Sequence, residues 1–228
     1  MNDSSKPNPL IELLITLIIP SVILMKLSGD GDLGAINALL LALSLPVFWG
    51  VRDFIVRRKL NLFAALGLVS ILLTGGIGLL QLDTQWLAIK EAAIPGLIGV
   101  AIYVSSYSRY PLVQVLLYTP ALMNIDLIQS SLDERGNRHA FENSLRNATR
   151  MLGGSFFFSS AMNYFLATWI VTSPSGTAAF NEELGRLTLL SYPMIAVPSM
   201  LIMMGVMYYL TRSIRTLAGL TLAEVIKQ

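Results

Sequence analysis

Six apolar runs, each close to the twenty residues an α-helix needs to cross the hydrocarbon of a bilayer, cover residues 10–27, 33–51, 61–80, 89–107, 151–173 and 187–210. Charged residues gather between them. With 54% apolar and 13% charged residues and a mean hydropathy of +0.64, the 228-residue chain carries more apolar surface than a soluble core of that size takes up. In lipid every backbone polar group needs an internal partner, so spanning runs must be helices or a closed barrel. Continuous rather than alternating apolarity selects helices. The expected fold class is therefore all-α: a polytopic membrane protein, residues 1–228 forming a single transmembrane bundle of six helices, with amphipathic inner-surface helices and a cytoplasmic segment over 108–150.

The basic residues test that division. If both termini are cytoplasmic, the inner side collects Lys6, Arg52, Arg57, Arg58, Lys59, Arg109, Arg135, Arg138, Arg146, Arg150, Arg212, Arg215 and Lys227, which is 13 of the 16. Lys26, Lys90 and Arg186 remain outside, where the loops carry Asp30, Asp32, Asp83, Glu182 and Glu183. Such a bias sets orientation, and with both termini on one side it asks for an even number of crossings. The opening MNDSSKPNPLIELLITLIIP has a weakly charged lead and no small-residue cleavage site behind its apolar run, so it is expected to stay as the first span.

Chemistry is constrained by what the chain lacks. It has no cysteine and one histidine, His139, and no carboxylate cluster lies inside an apolar run. Neither a metal site nor a cofactor is expected, and no base, nucleophile and orienting group come together in the sequence as an enzyme would require. TGGIG, residues 74–78, lies inside an apolar run and lacks the Lys-Ser/Thr pair of a phosphate loop. The five basic residues of 105–150 are offset by four acids, too weak a patch for nucleic acid.

Prolines punctuate four of the runs. Pro20, Pro46, Pro95, Pro193 and Pro198 each remove a backbone donor, freeing the carbonyls of Thr16, Ala42, Glu91, Leu189 and Met194, so kinks are expected at these points. Ala64, Gly67, Ser70, Thr74 and Gly78 form a narrow strip on the third run, and Ala92, Gly96 and Gly99 another on the fourth. Small residues let membrane helices approach closely, so these strips are expected to meet.

Polar residues within the runs are the candidate site: Glu12, Thr74, Lys90, Glu91 and Asn163. Lys90 and Glu91 lie about 100° apart on a helix and are not expected to pair side by side. At the headgroup level Lys90 would snorkel and Glu91 would favour the helix N-terminus; deeper, an ionisable residue is a functional hypothesis by default. Ser155, Ser159 and Asn163 share a face, either as interhelical hydrogen bonds or as a polar lining. Residues 111–123, between Pro111 and Pro120, are too short to span and read as an interfacial segment. Beyond the Gly136–Asn137 turn, Arg138, Glu142, Arg146 and Arg150 step by four along one helix face. Together with Arg57, Arg58 and Lys59 they suit an anionic inner leaflet. The tail from Thr211 is expected to continue as an inner-surface helix.

LIIPSVIL and AAIPGLIG, in runs of opposite direction, hint at an inverted repeat. The stretch from Leu60 to Ser106, with Thr74, Gly75, Asp83, Trp86 and Lys90 at its turn, resembles the bacterial inner-membrane proteins named after intracellular septation protein A. RNATRMLGGSFFFSSAMNYFLATW is similar to the aromatic-rich fifth span of that family, with Asn163 at an asparagine position. The inner loop after span four is longer here. The resemblance implies a cell-envelope role without a known reaction or substrate. Two readings follow: an envelope scaffold or accessory factor, with protein partners and a possible homo-oligomer; and a small secondary transporter or channel, in which the broken helices and the five polar residues line a pathway.

Overall fold

The computed structural model describes residues 9–57, 62–108, 111–116, 118 and 123–225. Arg58, Lys59, Lys6, Arg109, Pro120 and Lys227 lie outside them. In chain order the helices are α1 (Pro9–Leu13), α2 (Ile19–Lys26), α3 (Gly34–Arg57), α4 (Leu62–Leu79), α5 (Gln85–Ser105), α6 (Leu112–Leu116), α7 (Ile125–Glu134), α8 (Arg138–Ile170), α9 (Ala178–Ser191), α10 (Val197–Leu217) and α11 (Leu222–Val225). Among the described residues there is no strand, and the all-helical expectation is met. Three helical stretches are long and apolar enough to cross a membrane: Gly34–Asp53, Gln85–Ser105 and Ala178–Leu217; Leu66–Leu79 is a shorter apolar helix.

The described residues cluster into two compact units, one within 1–94 and 161–195 and the other within 95–160 and 196–228. In the first unit α2 packs on α3 and α9, and α3 on α4. Its core contains Leu24, Ala38, Leu39, Ala42, Leu87, Leu166 and Phe180. The contact of α2 with α9 depends on Gly185, where a Cβ would stand 2.8 Å from the Ser21 carbonyl oxygen and 2.7 Å from Met25 Cγ. Only glycine permits that approach.

The prolines are accommodated by more than a kink. Leu14–Ile18 and Tyr192–Ala196 are π-helical turns, and Pro20 and Pro198 enter the first turn of the α-helix that follows each. A π turn shifts the hydrogen-bond register by one residue, and a first-turn position has no donor to lose. Pro46 and Pro95 instead lie inside α3 and α5. The two stretches of the suggested repeat thus differ locally.

In the second unit Ile128, Leu132, Phe141, Leu145, Val206, Leu210 and Ile214 form the core. The small strip of α5 packs on α8: a Cβ on Gly96 would stand 3.0 Å from Ser160 Oγ, and one on Gly99 3.1 Å from the Phe157 ring. On α4, Gly75 and Gly78 meet Leu43 and Leu39 of α3. Gly78 of the third-run strip thus packs on α3, and Gly96 and Gly99 of the fourth on α8, rather than on each other. Gly75, Gly78 and Gly99 each take up a bulky side chain, and Gly96 a serine.

Three boundaries also differ. The polar segment before residue 151 and the apolar run after it form one helix, α8, of 33 residues. At 1.5 Å per residue it is about 50 Å long. Glu182 and Glu183, expected in an outer loop, lie within α9, whose first turn is capped by the Thr177 hydroxyl accepting from the Phe180 N–H. The tail does not continue as one helix: Gly219, at φ +73°, ends α10, and Val225 is buried in the core, its carbonyl accepting from the Asn124 N–H at 2.7 Å. Val113 of the interfacial segment is likewise buried in that core.

Candidate functional site

A tight turn over Leu80–Thr84 joins α4 to α5. Gln81 takes a positive φ of 51°, and the Asp83 carboxylate accepts from the Gln85 N–H at 2.8 Å, satisfying one of the free donors at the start of α5. Trp86 is exposed at this end. Lys90 follows five residues into the helix, about 8 Å along its axis.

The Lys90 ammonium meets three acceptors. It donates to Thr74 Oγ1 at 2.7 Å and to Ser70 Oγ at 3.1 Å, one turn apart on α4, and it lies 2.6 Å from Glu91 Oε1. Thr74 directs its own O–H to the Ser70 carbonyl at 3.0 Å, which leaves its lone pairs for the ammonium. A lysine ammonium has three donors, so this one is fully matched. Its side chain is 7% exposed and that of Glu91 28%. Lys90 and Glu91 do pair, contrary to the expectation from helical geometry, because four methylenes let the lysine curl back over its neighbour. Lys90 does not snorkel outward.

Three sequence candidates, Thr74, Lys90 and Glu91, thus come together with Ser70, which the sequence suggested only for packing. Glu12 and Asn163 are not among the three acceptors that meet the Lys90 ammonium. Glu12 is exposed, its backbone carbonyl accepting from the Thr16 hydroxyl at 2.7 Å. Asn163 is half-buried on α8 and engaged with a neighbour.

Two further polar clusters escaped the sequence reading. Asn181, fully buried on α9, donates through Nδ2 to Ser28 Oγ at 3.0 Å and to the Ala35 carbonyl at 2.7 Å. Its signal was the apolar spacing of Phe180, Leu184 and Leu187, which puts position 181 on the buried side. The Glu183 carboxylate accepts from the backbone N–H groups of Thr172 and Ser173 at 2.9 and 2.8 Å, and from both hydroxyls, just past the end of α8.

Of the basic candidates, Arg138 and Arg146 are exposed and border a cleft of about 410 Å³ in the second unit, also lined by Gln114, Tyr118, Asp133 and Glu142. Arg138 lies 3.4 Å from Asp133 and 3.8 Å from Glu142. Arg150 is half-buried, donating to Ser106 Oγ and Asn147 Oδ1 with its guanidinium over the Tyr107 ring. Arg57 ends α3, and its side chain is outside the description. Burial pushes the Tyr118 phenol up to about 12. The Thr221 hydroxyl and N–H hold Glu224 below the usual carboxylate range.

Among the described residues no group of three or more His, Cys, Asp or Glu is placed to hold a metal ion. Comparison of the chain with protein-family models, curated proteins and solved structures finds no match.

Proposed function

We propose that the protein is a scaffold or accessory factor for envelope maintenance in the bacterial inner membrane, of the septation-protein-A kind, spanning it six times with both termini cytoplasmic. No reaction is assigned to it. The observation that carries this reading is the full satisfaction of Lys90. With all three ammonium donors taken by Thr74, Ser70 and Glu91, none is left for a passing solute, and the cluster acts as a clamp between α4 and α5. The fit of α5 glycines against α8 side chains supports dry helix packing of the kind a scaffold uses. Partners would be envelope proteins or a second copy of the chain.

One observation favours the transport reading: the Glu91 carboxylate is 28% exposed beside Lys90. There Lys90 and Glu91 would be outer gate charges, Thr74 and Asn163 mid-depth lining, and Glu12 the inner counterpart. The cysteine-free chain permits a direct test. Single cysteines along 90–106 and at 155, 159 and 163, labelled with an impermeant maleimide from each side, are expected to react only near the helix ends. Labelling that reaches mid-span along one face overturns the scaffold reading in favour of an aqueous pathway.

A further inference from the structure

One face of α10 changes character along its length. Val206, Leu210 and Ile214 point into the core of the second unit. On the other side Val197, Met200, Leu201 and Met204 are exposed at 54 to 65%, and Tyr208 follows at 67%. The stripe continues as Thr211, Arg212, Arg215 and Thr216, which with Tyr208 line a shallow groove of about 440 Å³. Positions 208, 211, 212, 215 and 216 are the i, i+3, i+4, i+7 and i+8 sites of a single helix face. Among the described residues neither Arg212 nor Arg215 has a side-chain partner.

We propose that this face of α10 binds one anionic phospholipid, its phosphate held by Arg212 and Arg215 and its acyl chains laid along Val197–Met204. The register argues for a lipid. Val197 to Tyr208 is eleven residues, about 16 Å of helix rise, which matches the depth of one hydrocarbon leaflet, about 15 Å. A tyrosine then stands at the interfacial level, and the guanidiniums of Arg212 and Arg215 follow one and two turns beyond it, toward the phosphates. Guanidinium and phosphate match in charge and donor geometry, and the Thr216 hydroxyl adds a donor to the ester oxygens, that of Thr211 being given to the Met207 carbonyl. The charge bias assigns this end of α10 to the cytoplasmic leaflet. The inference rests on α10 lying in a membrane, not on the scaffold reading.

The test uses the purified full-length protein in a neutral detergent. Thermal unfolding is followed against phosphatidylglycerol, phosphatidylcholine of the same chains, and soluble glycerol phosphate, and bound lipid is counted by native mass spectrometry. Phosphatidylglycerol is expected to stabilise the wild type with one lipid retained, while phosphatidylcholine and glycerol phosphate have little effect. R212Q/R215Q should weaken the phosphatidylglycerol response by roughly tenfold or more. R212K/R215K should keep most of it, and R186Q, at an arginine paired with Glu182 and assigned to the other side of the membrane, all of it. The proposal is overturned if R212Q/R215Q responds like the wild type or if R186Q loses the response equally. It is also overturned if glycerol phosphate matches the lipid, or if the double variant merely shifts the protein between monomer and dimer whatever the lipid.

Discussion

At the scale of single residues, the Lys90–Glu91 pair makes the sharpest demand. A charge taken out of water is tolerated while its partner is present and costs several kcal/mol when orphaned. Lys90→Met is therefore expected to destabilise the protein by about 2 kcal/mol, a value reduced for the partial exposure of Glu91. Adding Glu91→Gln should return most of that loss, since the double variant buries no unpaired charge. Unfolding in mixed micelles across the four members of this cycle checks it; equal and additive losses would mean that the two side chains are not coupled. The helix periodicity that places both residues near the start of α5 was legible in the sequence. Their pairing was not, because it depends on side-chain reach and on Ser70 and Thr74 arriving from α4.

At the scale of elements, glycine matters where a neighbour occupies the space of its Cβ. Gly185 of α9 faces the Ser21 carbonyl and Met25, so Gly185→Ala must drive α2 and α9 apart at a cost of about 1–3 kcal/mol. Gly67 of α4 has nothing within 4 Å of the same position, so Gly67→Ala should be neutral or slightly stabilising through helix propensity, by up to about 1 kcal/mol. Parallel melting curves of the two variants provide the comparison, and equal effects would remove close packing as the reason for Gly185. Both glycines sit in apolar helical sequence. Only the neighbour that arrives in space separates them.

For the molecule as a whole, the prediction concerns the number of crossings. Three helices have the length and apolarity to span among the described residues, and the six-span topology asks more of the chain. Single cysteines at Gly31, Asp83 and Gly176 should react with an impermeant maleimide from the outer face of spheroplasts. One at Asn137 should react only after the membrane is opened. Outer-face labelling at Asn137, or none at Gly31, would leave the six-span arrangement without support. The 33-residue α8 is central here, since one helix leads from the polar Arg138 turn into the apolar run.

The apolar runs and the all-helical class follow from composition and spacing, because a bilayer acts on each segment through local hydropathy. Lys90, Glu91 and Thr74 were visible as candidates for the same reason: polar groups stand out in apolar sequence. What α8 and α9 added beyond their expected limits, the π turns before Pro20 and Pro198, and the burial of Asn181 and Val225 were decided by tertiary structure. Each depends on partners distant in the chain. Asn181 meets Ser28 and Ala35, and Val225 meets Asn124, pairings set by how helices stack rather than by anything in their own local sequence.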